Sequence, residues 1–134
     1  MTESIVSKNY SHMTEKEWMT LYKISFLLES LRIGPTITRI DYFGQTLNYE
    51  HATPLSQIDK IDGMSKDDVK NHLMTLFFNF QCTGFHHRNL NMNTVGVVKI
   101  WGDNRFVILE HESITKEKTE EFNEKTFWDG WLKN

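Results

Sequence analysis

One cysteine, two prolines and seven glycines are all that this chain of 134 residues carries of the residue types that staple or punctuate a fold. A single thiol, Cys82, closes no intramolecular disulfide and builds no Cys-rich zinc site, which suits a reducing compartment and leads us to expect a cytoplasmic protein. Pro and Gly are too few for widespread disorder. Long hydrophobic runs are missing as well. No apolar stretch is long and uncharged enough to span a bilayer, and residues 1–18 lack the basic-then-apolar order of a secretion signal, so neither secretion nor membrane insertion is expected. Charge of one sign is equally scarce. The formal net charge of −3 divides into −2 over residues 1–64 and −1 over residues 65–134, so neither half is a polycation that would draw nucleic acid or anionic lipid.

What the chain does carry is aromatic bulk: nine Phe, four Trp and four Tyr supply enough burial area for one core without disulfides or a structural metal. Residues 1–13 are polar and aperiodic and read as a flexible N-terminal arm, leaving 14–134 as a single domain. Thr14 with Glu17 forms a capping-box pattern, after which Trp18, Leu21, Ile24, Leu28 and Leu31 recur at helical spacing until Gly34-Pro35, which predicts a helix over 15–33. Residues 36–42 and 46–52 are β-branched and aromatic around Phe43-Gly44-Gln45, a hairpin signal. Residues 53–64 read as a surface loop with room for one irregular turn.

Ser65 with Asp68 repeats the cap, and Val69, Leu73, Met74, Leu76, Phe77 and Phe80 predict a second helix over 66–83. Counting Phe78 and Cys82, this helix is apolar nearly all round and is expected to lie centrally, with the thiol buried and inert. A polar stretch, His86 to Thr94, precedes a second hairpin of strands 95–101 and 105–112 around Gly102-Asp103-Asn104. Thr115 or Thr119 caps a last charged helix anchored by Phe122, Phe127, Trp128 and Trp131. The expected fold class is therefore α+β in the order α-ββ-α-ββ-α, with antiparallel hairpins packed against helices.

No nucleotide loop, nucleophile elbow or metal-binding spacing occurs in the sequence, and no cofactor or metal is expected. Two groups of residues stand out chemically. His86 and His87 follow the second helix, and Glu110, His111 and Glu112 lie on the expected last strand, where the two carboxylates share one face. If these segments meet, imidazoles and carboxylates divide acid and base roles as a small hydrolase or nuclease would. The alternative is a set of solvated loop and strand residues. Arg88 and Arg105, the latter near Trp101 and Phe106, offer charge and stacking for nucleic acid, diluted by Asp103, Glu110 and Glu112.

The preferred reading is a non-catalytic protein-binding module, a small cytoplasmic inhibitor or immunity-type protein that neutralises a toxin or enzyme by stoichiometric binding. Acids and aromatics coincide at Glu110, Glu112, Glu117, Glu120, Glu121, Glu124, Trp128 and Trp131, a surface that fits a basic partner. A homodimer stays open; nucleic acid and membrane are disfavoured as partners.

Overall fold

Both helices begin where the sequence places their caps. The computed structural model describes residues 5–58, 61, 63–100 and 103–117. In helix α1 (Glu15–Ser30) the Thr14 hydroxyl accepts from the Glu17 amide while the Glu17 carboxylate accepts from the Thr14 amide. Ser65 and Asp68 make the same reciprocal pair ahead of helix α2 (Lys66–Gln81). Two donors that a helix start leaves without an intrahelical acceptor are thereby satisfied at each site. Helix α1 stops at Ser30, short of the expected 33, because Arg32 turns left-handed at φ 62°. Gly34 follows so closely on the helix that a Cβ there would stand 2.8 Å from the Leu28 Cβ; its role is close approach.

The chain is a single small α+β domain with two helices and eight strands among the described residues, all strand pairs antiparallel. Strand β1 (Ile5–Asn9) pairs with β3 (Thr46–Glu50), which also pairs with β2 (Ile37–Asp41), in the order β1-β3-β2. A second sheet, β4-β6-β7, joins β4 (Thr53–Pro54), β6 (Val95–Ile100) and β7 (Asp103–Ile108). Strands β5 (His86–His87) and β8 (Ile114–Thr115) form a two-residue ladder that brings chain segments distant in sequence together. Ion pairing of Arg105 on β7 with Glu50 on β3 ties the first two sheets.

Five expectations need correction or fall outside this description. Residues 5–9, read as part of a flexible arm, are an edge strand: backbone pairing to β3 orders a segment that shows no apolar periodicity. The expected surface loop 53–64 contains strand β4, and its one irregular turn, the 3-10 turn Leu55–Gln57, points inward with Leu55 fully buried. The expected strand 105–112 starts earlier, at Asp103, and ends at Ile108, because Glu110 takes the left-handed conformation (φ 55°) and His111–Ser113 coils into a 3-10 turn. Helix α2 buries one face only. Val69, Leu73, Leu76, Phe77 and Phe80 join Ile24 and Leu28 of α1 and Val95, Val97, Phe106 and Ile108 of the second sheet in the main core, while Met74, Phe78 and the Cys82 thiol look outward. Finally, the last helix with Phe122, Phe127, Trp128 and Trp131 lies outside the described residues.

Candidate functional site

Four of the five residues singled out for acid–base chemistry, His87, Glu110, His111 and Glu112, lie at the turn after β7. His87, on β5, is carried there by the β5–β8 ladder, and Glu110 and His111 arrive on the turn itself. His111 presents Nε2 to the Ile108 carbonyl at 2.7 Å and Nδ1 to the Ser25 hydroxyl of α1 at 2.8 Å. A carbonyl oxygen only accepts, so Nε2 carries the proton and Nδ1 accepts from the serine. Burial pushes the imidazole down to about 4, reinforced by His87 and Lys8 and opposed by the Ile108 bond and Glu112. His87 is similar: Nε2–H donates to the Leu109 carbonyl (2.8 Å), Nδ1 accepts the Asn89 amide (3.1 Å), and burial lowers its affinity for a second proton against the pull of Leu109, Glu110 and Glu112. Both rings are therefore neutral and internally bonded at pH 7.

His86 does not join them. It pairs with Thr115, and alternation along the strand sends its side chain to the face opposite His87. Glu110 and Glu112, expected to share one strand face, diverge on the turn. The Glu110 carboxylate accepts from Asn89 (2.9 Å) and Ser113 (3.0 Å); that of Glu112 accepts from Lys8 (3.3 Å) and Tyr10 (3.2 Å). Burial would lower the Lys8 ammonium, yet Tyr49 and Glu112 outweigh it and hold the group above its ordinary value, while burial beside Glu112 raises the Tyr10 phenol. Among the described residues no group of three His, Cys, Asp or Glu side chains is placed to hold a metal ion.

These side chains border a small cavity between α1, the first sheet and the turn, with about 20 Å³ of room, enough for one water molecule. Tyr10, Ser25, Tyr49, Glu110 and His111 supply its polar lining, and Pro35, Leu47 and Leu109 its apolar wall. Ser25 is the residue that sequence reasoning missed. A serine in mid-helix is unremarkable by pattern; its one sequence signal is its place at position 25 beside Ile24 and Leu28 on the face that turns inward.

Comparisons with protein families, with characterised proteins and with solved structures find no match.

The surface carries a second feature. The turn between β2 and β3 lifts Phe43 to 95 % exposure, yet its base is firmly held. The Asp41 carboxylate accepts from the Gly44 amide (3.0 Å), and the Gln45 side chain, on a residue at φ 52°, donates to the carbonyls of Tyr10 (2.7 Å) and Met13 (3.0 Å). Behind Phe43 runs a chain of edge-to-face rings: Phe43 to Tyr42 (5.6 Å), Tyr42 to Tyr22 (5.6 Å) and Tyr22 to Phe26 (6.1 Å). Between packed rings each such pair contributes about 0.5–1.5 kcal/mol beyond its buried area, and the solvated Phe43 ring draws less than that from Tyr42. Phe26 is itself exposed.

The described residues of the nucleic-acid pattern take separate places. Arg105 is committed to Glu50, Phe106 is buried, and Arg88 pairs with Glu117 (3.2 Å) at an exposed site. Trp101 lies outside the described residues, as do Glu120, Glu121, Glu124, Trp128 and Trp131 of the expected acidic-aromatic surface. Glu117 is described, with 82 % of its side chain exposed.

Proposed function

We propose that this protein is a non-catalytic protein-binding module that acts by stoichiometric association. The observation that carries the reading is Phe43, a large apolar side chain presented almost bare on a turn braced by Asp41, Gln45 and a ladder of rings. Exposing such a ring offers little to the fold of the isolated chain beyond its edge contact with Tyr42. Insertion into a partner's pocket recovers its apolar transfer energy, and the fixed backbone spares the entropy of ordering it. Buried aromatics of this kind dominate interface energetics.

Within that class the reading remains a small cytoplasmic inhibitor or immunity-type protein that neutralises a toxin or another enzyme. The acids from Glu110 to Glu124 with Trp128 and Trp131 form the proposed second contact area toward a basic partner. Engagement of the Glu110 and Glu112 carboxylates inside the chain shifts the weight of that area to Glu117 and beyond.

The test is affinity capture from the source cell with the wild-type chain and with Phe43→Ala in parallel, followed by titration of the retained species. A partner bound by the wild type and weakened at least about tenfold by Phe43→Ala, at unchanged thermal stability, is the expected result. Equal retention by both chains removes Phe43 as the anchor and the reading with it.

A further inference from the structure

The turn after β7 is tied to the rest of the domain by two imidazole rings whose four nitrogens are all occupied. His111 donates from Nε2–H to the Ile108 carbonyl (2.7 Å) and accepts at Nδ1 from the Ser25 hydroxyl (2.8 Å), which fastens the turn to α1. His87 donates from Nε2–H to the Leu109 carbonyl (2.8 Å) and accepts the Asn89 amide (3.1 Å), which fastens the same turn to β5. We infer that the turn, with strand β8 behind it, is a latch that mild acid opens while the core around α2 stays folded.

A second proton undoes each fastening in its own way. At His87 it meets the Asn89 N–H, a donor that cannot turn round, so one of the two bonds breaks whenever the ring is charged. At His111 the Ser25 hydroxyl can rotate and accept, and the cost is that of a cation held away from water. The groups facing the rings do not relieve it. Glu110 and Glu112 on the turn attract the new charge at His87 and Glu112 does so at His111, where Lys8 of β1 and His87 itself repel it. Tyr10 and Tyr49 of the first sheet side bring phenols to the cavity beside His111, and α2 brings the Phe80 ring to within 6.5 Å of His87. Burial outweighs the carboxylates at both rings.

Little else holds the segment down. The β5–β8 ladder is two residue pairs long, Glu110 sits in the left-handed region at φ 55°, and Ile114 is the one buried apolar side chain from Glu110 to Thr115. Release of the latch takes Ile114 out of the main core and leaves Leu73, Phe77 and Phe80 of α2 against α1 and the second sheet. Once open, the rings take protons at the ordinary histidine value. His111, at about 4 closed and about 6.5 open, by itself raises the open fraction about 30-fold between pH 7.5 and pH 5, and His87 acts in the same direction. Full unfolding gains the same factor, so the mark of a latch is an opening that stays local.

The experiment is amide hydrogen exchange of the full chain at pH 7.5 and pH 5, corrected for the intrinsic exchange rate at each pH and repeated in low urea. The expected result is that amides from Glu110 to Thr115 lose protection about 30-fold or more at pH 5, with no response to urea, because a local opening exposes little surface. Amides from Leu73 to Phe80 should stay at least about 100-fold better protected at both pH values and should respond to urea, as exchange through full unfolding does. In the double variant His87→Gln, His111→Gln the loss at the turn should fall below about threefold, and the wild-type comparison stands even if that variant fails to fold. Turn amides that match those of α2 in protection and urea response, or that keep their protection at pH 5, overturn the latch. So does an undiminished acid response in a folded double variant.

Discussion

His111 is where one side chain most plainly links structure to solution behaviour. Its folded affinity for a proton is depressed to about 4, below that of an unfolded histidine, because burial penalises the charged ring, with His87 and Lys8 adding to the effect against the Ile108 bond and Glu112. The unfolded chain therefore binds the proton first as acid is added. The contribution is complete above about pH 6.5 and is lost as pH falls toward 4, amounting to about 2 kcal/mol between pH 7.5 and pH 5. His87, depressed by burial as well, acts in the same direction. Urea unfolding at the two pH values measures the loss. In His111→Asn the difference between pH 7.5 and pH 5 should shrink by more than half, whatever the variant's absolute stability; an unchanged difference places the linkage elsewhere.

Phe43 belongs to the same scale with the opposite expectation. Phe43→Ala should shift the unfolding free energy by less than about 0.5 kcal/mol, since the ring is solvated on its outer side and holds only Tyr42. A larger loss on denaturant unfolding would return the ring to the fold's own packing.

At the scale of elements, α2 separates two kinds of apolar residue that look alike in sequence. Leu73 is fully buried in the main core, so Leu73→Ala should cost about 2–5 kcal/mol through lost transfer energy and the cavity left behind. Phe78, one turn further on and 64 % exposed, should cost under about 1 kcal/mol as Phe78→Ser. Equal losses by denaturant unfolding would mean that both faces of α2 are packed. The caps were legible beforehand, because a capping box is local chemistry read over four residues, and Thr14-Glu17 and Ser65-Asp68 both form it. The outward face of α2 was not, because hydrophobicity states what a side chain prefers and not how many neighbours arrive to meet it. Here α1 and the β4-β6-β7 sheet supply core contacts on one side, and Met74, Phe78 and Cys82 are left toward solvent.

For the molecule as a whole, the edge strand β1 is the element whose removal reaches furthest. It carries Lys8 to Glu112 and leads directly to Tyr10, which bonds Glu112, lines the cavity and sits 6.1 Å from the buried Trp18 ring. Deletion of residues 1–9 should therefore lower the unfolding midpoint by several degrees, the equivalent of about 1–3 kcal/mol for a domain of this size, and expose Trp18 to a red shift in fluorescence. A truncated chain with unchanged midpoint and emission would restore the arm to a peripheral role.

The amino-acid sequence by itself determined what depends on near neighbours: the α+β class, both helix starts, the two main hairpins and the buried stripe of α2. Each rests on spacing or capping within one or two turns of chain, where propensity and pattern act together. Tertiary structure alone decided the rest. Pairing of β5 with β8 and of β1 with β3 set which histidine enters the cluster and which leaves it, and the left-handed Glu110 turned a strand into the turn that meets Ser25 across 86 residues of chain. Such contacts are made by backbone hydrogen bonds and by polar atoms seeking partners once water is excluded. That requirement is satisfied by whichever donor or acceptor the fold brings near, and no local pattern announces it.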